Sequence, residues 1–213
     1  MNEFWAQVSW RVSDFLFPDG RKTPIWALVG RGVLLVAVAA YGWRFHRMTM
    51  LQLSNPEQGG SFLHLVHLVF HEAGHVLFAW FGQFMGVLGG SLLQVLMPVI
   101  WFVAARFWGR DAFAGALCLW LAGQSLVDVS PYINDACSLQ LMLLGGGTGR
   151  EVEGHNWEYL LTELNLLHKD VYISRWVLRT GRWIMALSLL WAAALLLVQA
   201  RDRARDEPGP PAA

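Results

Sequence analysis

His71-Glu72-Ala73-Gly74-His75 places two imidazoles four residues apart, with a carboxylate beside the first. On a helix, positions i and i+4 share a face, so both rings can converge on one divalent cation. Zinc binds histidine nitrogens, and a catalytic zinc site uses three protein ligands and keeps one position open for water. His71 and His75 are the expected first two ligands. Glu72 in such a motif is a general base rather than a ligand: it takes a proton from the attacking water and returns it to the leaving amine. With 7 His among 213 residues, chance is a poor account of this spacing. Core histidines bonded between helices are the plain alternative, but packing alone requires no glutamate between them.

The third ligand must come from elsewhere. His67 lies one turn before His71, yet it stands eight residues from His75, about 12 Å along a helix axis. Ligand atoms around one zinc lie only about 3–3.5 Å apart, given bonds near 2 Å. His67 therefore suits a supporting or proton-relay role, and His64 a packed or pore-lining one. Asp135 is the leading choice for the third ligand. It follows Pro131 in an apolar region, where an unpaired carboxylate is costly and a metal cation removes the cost. Asp128 and His155 are the competitors. Asp128 is also suited to accept an N–H from a ligand imidazole, and Asn134 is a conceivable hydrogen-bond donor to a developing oxyanion.

The elements that must hold these residues are strongly apolar. The chain is 55% hydrophobic and 15% charged, with 12 Trp and 12 Phe, and its mean hydropathy is +0.37. That composition points to an all-α, polytopic helical membrane bundle of about five or six spans, with interfacial amphipathic helices. Balanced charge, 16 Lys+Arg against 16 Asp+Glu, offers no basic footprint for nucleic acid. Cys118 and Cys137 read as buried free thiols. Residues 1–200 form one membrane domain in this reading, and 201–213 a charged, proline-rich, disordered tail.

Within that domain, residues 3–17 have the spacing of an interfacial amphipathic helix, and 18–22 form a turn. The first span runs from Pro24 to Trp43, with Arg31 either snorkelling or facing the bundle. The second, about 61–83, carries the motif near the middle of the bilayer. Gly82, Gly86, Gly89 and Gly90 signal either a close helix approach or a re-entrant break. A third span covers about 91–108. The fourth starts at 112; Pro131 is expected to break it, and an apolar run resumes at 136–144 as a continuation or a separate span. After a polar loop, Asn156 is expected to cap an amphipathic helix that rests on the membrane surface or the bundle. The last span covers about 182–200.

The motif within a span, followed by an intramembrane aspartate beside a proline, resembles the site-2-protease-like (M50-type) intramembrane zinc metalloproteases. The likeness covers roughly residues 61–144. In that family the second element usually reads Asn, one or two prolines, then Leu-Asp-Gly; here the chain has Asp128-Val-Ser-Pro131-Tyr-Ile-Asn134-Asp135-Ala136. The resemblance implies Zn2+ as cofactor, zinc ligation by Asp135, and hydrolysis of a peptide bond in or near a substrate's membrane span. The implied partners are a membrane protein or peptide substrate and the lipid bilayer. The alternatives are a non-catalytic membrane zinc-binding protein or, with less support, an ion- or proton-translocating one.

Overall fold

The structure, a computed structural model, describes residues 15–17, 23–144 and 146–206. The protein is all-α, and the described residues contain one isolated bridge, Met142 to Thr148, outside the helices. Helix α1 is Ile25–Arg47. Helix α2 is Phe62–Phe78, extended by a 3-10 turn at Ala79–Phe81, and α3 is Gln83–Val103, widening into a π turn at Ala104–Trp108. Helix α4 is Ala112–Asn134, α5 is Asn156–Glu163 and α6 is Asp170–Asp206. All but α5 are long and apolar enough to cross a membrane, with Phe62–Phe81, Gln83–Trp108 and Leu167–Arg205 as the full apolar stretches of α2, α3 and α6. That is the architecture of a multi-pass membrane protein. Large apolar side chains such as Trp26, Val33 and Val36 of α1 and Phe62, Leu65 and Val69 of α2 face outward, as a lipid-facing surface requires.

The centre is the antiparallel pair α4 and α6. Gly123 and Gly181 let their backbones touch: a Cβ on Gly123 would lie 2.7 Å from the Gly181 carbonyl oxygen, and the reverse distance is 2.5 Å. Helix α1 lies along both, through Phe45 packed with Trp120, Val127, Leu178 and Met185. Arg31 faces the bundle: it donates to Gln199 Oε1 and to Asp111 Oδ2, each at 2.8 Å, and lies over the Phe113 ring.

Helices α2 and α3 form an antiparallel hairpin against α4. Its turn is Gly82, at φ 95°, a conformation that favours glycine. The other glycines of the run lie inside α3 and face α2. A Cβ on Gly74 would meet the Gly89 carbonyl oxygen at 2.1 Å, so the motif's own glycine and Gly89 allow the close crossing. The close approach is thus present, while the break at Gly82 is a hairpin turn into a helix long enough to span rather than a re-entrant segment.

Several expectations are corrected. Helix α4 passes through Pro131 unbroken and ends at Asn134. The proline cannot bond the carbonyl four residues back, that of Val127, but the Ser130 hydroxyl donates to this oxygen at 2.7 Å. Residues 136–144 contain turns and irregular backbone among those described, so they form no sixth span. The last helix begins at Asp170 rather than near 182, and continues to Asp206 into the expected tail. Helix α5 rests on the bundle, with Leu161 and Trp157 packed among Val129, Ile133 and Val177. Cys118 and Cys137 are free, but neither is buried as expected: Cys118 is half-buried and Cys137 exposed. The expected helix at 3–17, apart from residues 15–17, lies outside the described residues, as do the turn at 18–22 and the tail beyond 206. Arg106 Nε donates to the Phe15 carbonyl and Trp191 Nε1 to that of Leu16, each at 2.9 Å.

Candidate metal centre

Helix α2 does locally what its spacing predicts. One nitrogen from each of His71 and His75 and a carboxylate oxygen of Glu72 all lie within 4.8 Å of one another. The two imidazole rings meet edge to face with centroids 4.8 Å apart. Glu72 is exposed on the open flank of this cluster, while both imidazoles are half-buried against α3.

Helix α3 fixes the direction of both rings. His71 Nδ1 donates to Gln94 Oε1 at 3.0 Å, and His75 Nδ1 donates to the Gly86 carbonyl at 2.8 Å. The first tautomer follows from the next contact. Gln94 Nε2 donates to Asp128 Oδ2 at 2.9 Å, and an ionised carboxylate only accepts, so the Gln94 oxygen must face His71. Both rings therefore carry their proton on Nδ1 and present an Nε2 lone pair. Supporting acceptors of this kind orient metal-ligating histidines in zinc proteins. Gly90 leaves the space: a Cβ there would stand 2.7 Å from His71 Nε2 and 2.6 Å from His75 Nε2. Convergent neutral imidazoles, fixed tautomers and a cradle that one methyl group would fill are a fit for zinc.

Asn156 completes the neighbourhood. Its Nδ2 lies 3.1 Å from His71 Nε2 and 3.1 Å from His75 Nε2. It is the first residue of α5, not its cap. His155 is the cap, its Nδ1 accepting from the Glu158 N–H at 3.1 Å, which leaves the Asn156 side chain pointing at the imidazoles. Trp157 Nε1 donates to Ser91 Oγ at 3.1 Å and ties the start of α5 to α3 beside Gly90.

The other expected residues are placed elsewhere. Asp135 is buried, 4% exposed, but it does not join the His71–Glu72–His75 cluster. Its carboxylate accepts from the backbone N–H of Gln140 at 2.9 Å, from that of Leu141 at 2.8 Å, and from the Ser138 hydroxyl. These donors meet the desolvation cost that a metal was expected to meet. His155 Nε2, buried and without a hydrogen-bond partner among the described residues, faces Asp135 Oδ2 at 3.5 Å, so two of the three expected third-ligand residues lie beside each other and apart from the cluster. Burial pushes the His155 imidazole below its ordinary pKa, opposed by the Asp135 carboxylate, in keeping with a neutral ring that accepts at Nδ1. Asp128 stands behind Gln94, one residue removed from the position expected for a direct imidazole partner. It also accepts from His64 Nδ1 at 3.1 Å. His67, 1% exposed, bonds Gln124 instead of supporting the motif, and is a packed core histidine. Asn134 Oδ1 accepts from Ser174 Oγ on α6 at 3.1 Å, which turns it away from any oxyanion role at the cluster.

A cavity of about 170 Å³ opens beside α4, lined by His64, Gln124, Asp128, Tyr132 and residues of the 53–60 segment. It reaches the far end of the string Asp128–Gln94–His71. Gln94 and Asn156 are the two side chains in contact with the imidazoles to which sequence reading assigned no role at the site. Gln94 was visible as a polar side chain in an apolar span, and Asn156 as a polar residue at a helix start, a signal that capping already explained.

Comparison with protein-family models, with curated proteins and with solved structures finds no match for this chain.

Proposed function

We propose that this protein is a membrane-embedded zinc metallopeptidase of the site-2-protease-like (M50-type) kind, hydrolysing peptide bonds in or near a substrate's membrane span. The observation that carries this reading is the convergence of the His71 and His75 lone pairs, tautomers fixed by Gln94 and Gly86, with the Glu72 carboxylate within 4.8 Å. Metal stability alone explains the imidazoles; it does not explain an exposed carboxylate at this place in an apolar helix.

In this reading His71 and His75 hold the ion, and Gln94 and Asp128 orient His71. Zinc, when bound, acts as a Lewis acid toward a carbonyl oxygen and lowers the pKa of a water in its open position. Glu72, on the open flank, receives the proton of the attacking water and passes it to the leaving amine. An exposed flank admits an extended substrate segment, whose carbonyls must first leave their own helical hydrogen bonds.

The test uses protein reconstituted in liposomes with peptides spanning the bilayer, with products read by mass spectrometry. Wild type loaded with zinc is expected to cleave and to lose activity on chelation. Glu72→Gln should keep one zinc per chain and lose at least 100-fold in rate. Cleavage that persists in Glu72→Gln and after chelation refutes the reading. Zinc retention with an intact biological effect in Glu72→Gln would instead favour the non-catalytic zinc protein.

A further inference from the structure

We propose that Asn156 is the third protein ligand of the metal, binding through its side-chain oxygen. This rests on the zinc reading above and replaces Asp135 in that role. His71 and His75 both carry their proton on Nδ1, so two lone pairs aim at one place. Asn156 stands beside it, with its terminal amide 3.1 Å from each Nε2. As an amide nitrogen this group donates one N–H to each ring. Turning the amide by half a rotation about its last torsion, which is broad and roughly two-fold, exchanges nitrogen for oxygen without moving the backbone. An oxygen there would lie about 3.1 Å from each imidazole nitrogen, within the spacing of about 3–3.5 Å between ligand atoms around a zinc with bonds near 2 Å.

The surroundings hold Asn156 in place. His155 caps α5 immediately before it, Trp157 is bonded to Ser91 immediately after it, and Leu160 and Leu161 are buried beneath. Asp135 supports the same start of α5 from behind, through its position 3.5 Å from His155. The rival donors are placed otherwise: Asp135 is held by backbone amides, Asp128 by Gln94 and His64, and His155 caps the helix through Nδ1 while its buried Nε2, without a hydrogen-bond partner among the described residues, faces Asp135 at 3.5 Å. A neutral carboxamide is a weaker zinc ligand than a carboxylate. The site is therefore set to bind its metal less tightly than the same cage with Asp in that place.

The test is metal affinity, independent of catalysis. Full-length protein in detergent is stripped, reloaded with zinc or cobalt(II), and titrated against a chromophoric chelator, with visible cobalt spectra recorded alongside. Asn156→Ala is expected to weaken zinc binding at least ten-fold. Asn156→Asp should tighten it at least three-fold and shift the cobalt bands. If Asn156→Ala fails to fold, Asn156→Asp carries the test by itself. Wild-type affinity and an unchanged cobalt spectrum in the folded variants overturn the proposal while leaving the zinc reading standing. A wild-type protein that takes up neither metal refutes the zinc reading itself.

Discussion

At the scale of single residues, the site depends on a hydrogen atom where any other amino acid would place carbon. Gly90 sits in mid-helix, where alanine would ordinarily raise helix stability by about 1 kcal/mol. Here a Cβ would intrude to 2.7 Å from His71 Nε2 and 2.6 Å from His75 Nε2. Gly90→Ala is therefore expected to abolish stoichiometric zinc binding while circular dichroism shows the helices intact. Unchanged zinc content in that variant would mean that the imidazole nitrogens do not share a cation at this place. The same scale explains why Asp135 misleads. A buried carboxylate does need partners, as its sequence context says, but the amides of Gln140 and Leu141 supply them from the following turn. A carboxylate so satisfied has no need of a metal.

At the scale of elements, Pro131 shows a local rule offset by its neighbour. A proline inside a helix removes one hydrogen bond and crowds the preceding turn, which is why a break was expected. Ser130 repairs the lost bond by donating to Val127, and α4 runs on to Asn134, carrying Asp128 to Gln94. Ser130→Ala alone leaves the Val127 carbonyl without that donor in a buried setting, at a cost of about 1–3 kcal/mol. Pro131→Ala restores a backbone N–H for the same carbonyl. In that background Ser130→Ala should cost clearly less, which a double-mutant cycle of thermal unfolding in detergent measures. Additive effects in the cycle would show that the hydroxyl does not substitute for the missing amide.

Across the whole molecule, α1, α4 and α6 form the supporting core, and the α2/α3 hairpin with α5 carries the candidate metal centre. The two meet at α4, whose Asp128 faces Gln94 and His64 while its Gly123 faces Gly181. A larger residue at Gly123 would strike backbone atoms, Gly181 O at 2.7 Å and Met185 N at 2.9 Å. Gly123→Val should thus separate α4 from α6 and remove the monodisperse peak in size-exclusion chromatography, with zinc binding lost as a consequence. A well-behaved Gly123→Val protein would show that the core tolerates a wider crossing than its backbone contacts imply.

What the sequence determined by itself is what short-range geometry determines. The apolar segments are long enough to cross a bilayer, and His71 and His75 share one face of α2 because helical periodicity places them there. The Gly run signalled a close helix approach or a break, and the fold decided which glycine does which. Tertiary structure decided the rest: that Gln94 rather than Asp128 touches His71, that Asn156 rather than Asp135 stands between the imidazoles, and that His67 bonds Gln124. These pairs lie 23, 85 and 57 residues apart in the chain. Such contacts arise only from how the helices cross, and a polar side chain in an apolar segment records that it needs a partner without recording which one.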